Sequence, residues 1–134
     1  TEVADILRDY RDYTMICAGV FDDMVATLVL ENKEAILERN RQIVEENLAL
    51  MDEWIAKEPK ASWIRPASVS TSFVKLDVNR PIEDFALELL QDYGVLVVPG
   101  NRFDKESHVR IGYCCDKEVL QKGLEKLSQF LNKC

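Results

Sequence analysis

Apolar positions recur along the chain with two periods, and the switches between them mark out its elements. Val3, Ile6, Leu7 and Tyr10 follow helical spacing and predict a helix over the opening residues. From Arg11 to Asp23 that period breaks, polar Arg-Asp-Tyr-Thr giving way to apolar Met15-Ile-Cys-Ala-Gly-Val-Phe, and the pattern predicts a connector buried against something. Met24 to Leu30 is apolar on several faces before Glu31-Asn-Lys interrupts it, with Asn32 placed to cap a second helix. Leu37, Val44, Leu48, Met51 and Ile55 then keep to one face of a long amphipathic helix. Glu38, Arg39, Arg41, Gln42, Glu45 and Glu46 form its solvated side. The stripe covers too few repeats for a coiled coil. Glu58-Pro59 and Arg65-Pro66 break the chain on either side of Trp63 and predict a loop.

The second half alternates strands and helices. Ser68 to Leu76, rich in β-branched and hydroxyl residues, predicts a strand that exits at Asp77-Val-Asn. Pro81 stands at a first helical position, and Ile82, Phe85, Ala86, Leu89 and Leu90 form an apolar stripe, with Glu83 and Asp84 in the first turn and Gly94 as a left-handed cap. Val95 to Val98 predicts a short buried strand ending at Pro99-Gly100. In His108 to Tyr113 strict alternation puts Val109, Ile111 and Tyr113 on one face and His108, Arg110 and Gly112 on the other. Asp116 caps a last helix lined by Leu120, Leu124, Leu127 and Leu131. The expected architecture is α/β (α+β): a small three-stranded sheet, mainly antiparallel, with the His108 strand between the other two. Helices cover it, including the long N-terminal one. Residues 1–22 are expected to be a connector and helix end, and 23–134 a small α/β domain.

Composition narrows the function. The net charge of -7 and a pI near 4.8 disfavour nucleic acid and anionic membranes as partners. No apolar run approaches the ~18 residues of a membrane span and no signal segment is evident, so the cytoplasm is the expected location. Cys17, Cys114, Cys115 and Cys134 lack metal-ligand spacing and the chain has one histidine, so no metal site is expected. Cys17 and one of the adjacent pair read as small buried residues in a reducing compartment. The chain opens without methionine on a stripe already running, as a piece of a longer protein would.

Arg110 is the odd residue, a planar cationic fork on a strand anchored to a core, beside a glycine that leaves room for an approaching group. Such a fork suits a carboxylate or phosphate, but a surface arginine paired with an acidic neighbour has the same pattern. Asn101, Arg102 and Phe103 read either as a loop closing over a ligand or as a polar turn with Phe103 tucked beneath it. His108 reads as a strand residue at the rim of the sheet, with nothing beside it to fix a tautomer.

Val98-Pro-Gly-x-x-Phe103, a polar loop, and then Arg110-Ile-Gly resemble the carboxy-terminal signature of class I/II aminotransferases, fold type I enzymes that use pyridoxal phosphate. The resemblance runs from the connector to the final helix and implies the small C-terminal domain of an aspartate aminotransferase-like enzyme. It puts the α-carboxylate clamp of an amino acid substrate on Arg110, with Gly100, Asn101 and Phe103 as further substrate-binding residues. It also implies amino acid and 2-oxo acid substrates, a homodimer, and pyridoxal phosphate bound by groups that no segment of this chain matches. The lysines fall on polar faces, so no catalytic or cofactor-binding residue is expected here and the chain alone is expected to be inactive. The alternatives are a non-catalytic anion- or ligand-binding regulatory module and a purely structural dimerisation domain.

Overall fold

The computed structural model of the chain describes residues 2–15 and 19–133. Cys17 and Cys134 lie outside the described residues. The chain divides into two compact units, Thr1–Glu38 and Arg39–Cys134.

The first unit contains α1 (Glu2–Thr14), α2 (Val20–Glu31) and the start of α3 (Lys33–Lys57). Helix α1 runs beyond the apolar period to Thr14, because Arg11, Asp12, Tyr13 and Thr14 include no breaker and the Thr14 hydroxyl donates back to the Tyr10 carbonyl at 2.9 Å. The expected connector is correspondingly shorter, since α2 already begins at Val20. Among the described residues its expected burial is not made: Tyr13 and Phe21 are 92% and 83% exposed. Asn32 does not cap α3 with its side chain. Its amide instead donates to the Leu28 carbonyl at 2.8 Å and finishes α2.

In the second unit a sheet is built from β1 (Ala61–Trp63), β2 (Thr71–Leu76), β3 (Val98–Pro99) and β4 (His108–Gly112), in the order β1-β2-β4-β3 with every neighbouring pair antiparallel. The His108 strand lies between its neighbours as the pattern predicts. The sheet has four strands, not three, because β1 forms where the prolines on either side of Trp63 predicted only loop. Three residues are too few to show alternation, and Pro59 and Pro66 lie just outside them. Strand β3 is shorter than Val95 to Val98, with only its last residue and Pro99 paired to β4.

Helices α4 (Ile82–Tyr93) and α5 (Lys117–Leu131) join the second half of α3 in one core with the sheet. Met51, Val74, Phe85, Leu89, Val109, Tyr113 and Leu127 are at its centre. Leu37 and Leu90, which fit the apolar stripes, are exposed. Pro81 is the N-cap of α4 instead of its first residue, and Gly94 ends that helix at φ +66°, where its missing Cβ removes the strain. Asp116 occupies the N-cap of α5 by its backbone, without a side-chain capping bond. A chain of hydrogen bonds ties α3 to α5: Trp54 Nε1 donates to Ser128 Oγ at 2.8 Å, and Ser128 Oγ donates to the buried Glu58 Oε2 at 2.7 Å.

Asn47 was not visible as a core residue, yet it is buried on the stripe of α3. Its Nδ2 donates to the carbonyls of Tyr113 and Cys115, both at 2.7 Å, and so fixes the exit of β4. Asn47→Ala would strand two partly or fully buried carbonyls, and the expected loss is about 2 kcal/mol of unfolding free energy. Urea denaturation of the full-length protein reads it directly; an unchanged midpoint would mean water replaces the amide.

Candidate functional site

Alternation on the two central strands gives the sheet two unlike faces. Ser72, Val74 and Leu76 of β2 and Val109 and Ile111 of β4 are buried, so they face the core. On the opposite face register places Thr71 beside Gly112, Phe73 beside Arg110 and Lys75 beside His108, while Val98 flanks Arg110 from β3. Arg110 is exposed and has no ion-pair partner among the described residues, which disposes of the acidic neighbour in the simpler reading. Its guanidinium carbon stands 5.3 Å from the centroid of the Phe103 ring. A Cβ on Gly112 would meet only a Thr71 methyl carbon at 3.9 Å, so the space beside the arginine is open.

The Gly100–Phe103 segment is a 3-10 turn that carries Phe103 back over this face. Gly100 is buried in the base of the loop, where the Lys105 N–H donates to its carbonyl at 3.0 Å. Asn101 Nδ2 donates to Glu83 Oε2 at 2.8 Å, and Arg102 Nη2 pairs with the other Glu83 oxygen. The first turn of α4 therefore pins the loop. Asp104 then takes a left-handed φ of 54° to turn the chain toward β4. Phe103 remains 46% exposed, in a T-shaped pair with Phe73 with ring centroids 5.7 Å apart.

His108 lies parallel to Phe73, centroids 5.2 Å apart, and its Nδ1 is 2.8 Å from the Glu106 carbonyl oxygen. A carbonyl only accepts, so Nδ1 carries a proton, and a partner that fixes the tautomer is present after all. Ser62, Thr71, Lys75, Lys105 and His108 line an open groove of about 510 Å³ along the same face. Arg110, Phe103 and His108 are thus brought to one face, whereas Gly100 and Asn101 act at the base of the loop. Phe73 and Glu83 were missed: an aromatic among Thr71 and Lys75 on the polar face was a usable signal, whereas nothing local tied Glu83 to a loop that follows α4.

Cys115 is half-buried beyond β4, and burial, reinforced by Asp116 and Cys114, pushes its thiol up, away from the thiolate of a nucleophile. Among the described residues no group of three or more His, Cys, Asp or Glu is placed to hold a metal ion, and no helix is long and apolar enough to cross a membrane.

Residues 2–127 match the family described as aminotransferase class I and II. The chain belongs to that aminotransferase family. A PLP-dependent aminotransferase of Streptococcus suis is 66% identical, with a TM-score of 0.89 over 98% of this chain and 35% of its own. Capreomycidine synthase of Streptomyces vinaceus is 28% identical over 96% of this chain and 33% of its own length. A probable N-acetyl-LL-diaminopimelate aminotransferase of Bacillus subtilis is 26% identical over 98% and 34%. The chain spans about a third of the length of these relatives, and its four-stranded antiparallel sheet with covering helices is the fold type I small domain.

Proposed function

We propose that these residues are the small C-terminal domain of a pyridoxal-phosphate-dependent aminotransferase, in which Arg110 binds the α-carboxylate of amino acid and 2-oxo acid substrates. In this reading residues 1–22 are the connector and 23–134 the domain. The observation that carries it is a single one: an arginine on the open sheet face with no ion-pair partner among the described residues and with free space beside it. A guanidinium presented this way offers two parallel N–H bonds to a carboxylate. Holding that carboxylate orients the bond at the α-carbon and removes freedom that would otherwise oppose the reaction.

The described residues do not fit the cofactor itself. None of their lysines is buried, and several are already engaged, Lys60 by the Leu131 carbonyl and Lys126 by the Tyr93 carbonyl, both at 2.8 Å. A desolvated amine for imine formation is missing among them. The role of this chain is accordingly to bind and orient, and these residues alone are expected to be inactive.

The test is made on the full-length protein, incubated with pyridoxal phosphate, reduced with borohydride and mapped by peptide mass. A single modified lysine outside these 134 residues is the expected result. Absence of any adduct would favour a non-catalytic anion-binding module instead.

A further inference from the structure

Arg110 reaches the open face with a flat cation and, among the described residues, no acidic partner to hold its plane. Phe103 is the ring its guanidinium lies over. At 5.3 Å from the guanidinium carbon, its centroid is inside the ~6 Å over which an aromatic face attracts a cation. Phe103 is itself braced. Its ring stands at 89° to that of Phe73, and Phe73 lies nearly parallel to His108, whose Nδ1 is fastened to the Glu106 carbonyl. Behind the ring, Glu83 grips the two preceding side chains, Asn101 and Arg102.

We propose that Phe103 is the positioning residue for Arg110. Its ring holds the guanidinium by the π face and leaves the in-plane N–H donors open for a carboxylate. An aspartate or glutamate at the same place would also hold the arginine, but it would occupy the fork and compete with the ligand. The ring attracts the cation without competing for those donors. The proposal rests on the reading of Arg110 as the carboxylate site, and it adds a consequence which that reading lacks. Because Phe103 acts through the arginine, its contribution must be the same for every ligand bearing the carboxylate, whatever the rest of the ligand is.

Calorimetric binding of pyruvate, 2-oxoglutarate and phenylpyruvate to the full-length protein tests this, comparing wild type, Phe103→Leu, Phe103→Tyr, Arg110→Ala and the Arg110→Ala/Phe103→Leu double variant. Phe103→Leu should weaken all three ligands by a similar factor, about three- to tenfold. Phe103→Tyr, which keeps the π face, should restore binding to within about twofold. In the Arg110→Ala background the leucine should add nothing, since the interaction it removes is already gone. Phe103→Met keeps apolar volume against Phe73 without a π face and takes the place of the leucine if that variant loosens the loop.

A leucine effect that persists without Arg110, or that differs among the three ligands, would make Phe103 a direct ligand contact and overturn the proposal. If Arg110→Ala weakens binding while Phe103→Leu does not, the positioning role falls and the carboxylate site stands. If Arg110→Ala binds all three ligands as wild type does, the carboxylate site falls and the positioning role falls with it.

Discussion

Replacing Arg110 by alanine in the full-length protein is expected to raise KM for amino acids about 30-fold or more, and to lower kcat/KM at least as far. Once a site is closed over its ligand, loss of one partner of a hydrogen-bonded charge pair typically costs 2–5 kcal/mol, part of it because the ligand's carboxylate is then left without a counter-charge. Lysine at this position should recover only a fraction. It restores the charge, but an ammonium is a point donor that cannot make two parallel bonds, and it gives up the guanidinium's place over the Phe103 ring. The split between constants carries information. A rise in KM alone would mean that the arginine binds ground state and transition state equally, whereas an added fall in kcat would mean that it also orients the reacting bond. Steady-state kinetics with two amino acids of unlike side chain separate these cases, and an unchanged KM for both would remove Arg110 from the site.

The sequence made Arg110 visible because a period of two is unforgiving. With Val109, Ile111 and Tyr113 committed to the core, the arginine between them had to face away. The His108 strand lies between β2 and β3 as expected, and periodicity also set the stripe of α4 at Ile82, Phe85, Ala86 and Leu89. It failed where burial was decided by tertiary context. Leu37 and Leu90 fit their stripes and are exposed, since periodicity reports which face a residue occupies and not how far the core extends along it. Asn47 lies on the buried face of α3 for the converse reason: two carbonyls at the end of β4 need a donor, and they lie 66 and 68 residues away. The furniture of the site was partly hidden by the same distance. Asn101 and Arg102 read as possible ligand-facing groups, and their shared partner Glu83 lies 18 and 19 residues away. His108 gained a fixed tautomer from a carbonyl two residues earlier, a contact that depends on the turn through Ser107 at φ 61°.

Gly100→Ala is expected to cost about 3 kcal/mol of stability and to weaken carboxylate binding as well. A Cβ built at this position would stand 2.3 Å from the Lys105 carbonyl oxygen, 2.6 Å from that of His108 and 2.9 Å from the His108 Cβ. Two of these are backbone atoms in a closed loop, so the clash cannot be relieved by a side-chain rotation. The loop must open, and with it the Lys105 N–H bond to the Gly100 carbonyl. The effect should then pass along the chain in both directions. Toward β4, His108 is pushed away from Phe73; toward the turn, Phe103 loses the position from which it meets Arg110. A purely structural glycine would lower the denaturation midpoint and leave the ligand affinity of the folded fraction intact. A glycine that sets the height of Phe103 would lower both, and the second loss should be smaller in a Phe103→Leu background, where the ring has already been removed. Urea unfolding together with 2-oxoglutarate titration of the same samples distinguishes the two. A variant with wild-type midpoint and wild-type affinity would show that the loop yields without consequence, and that the close backbone packing at Gly100 does not hold the arginine's support in place.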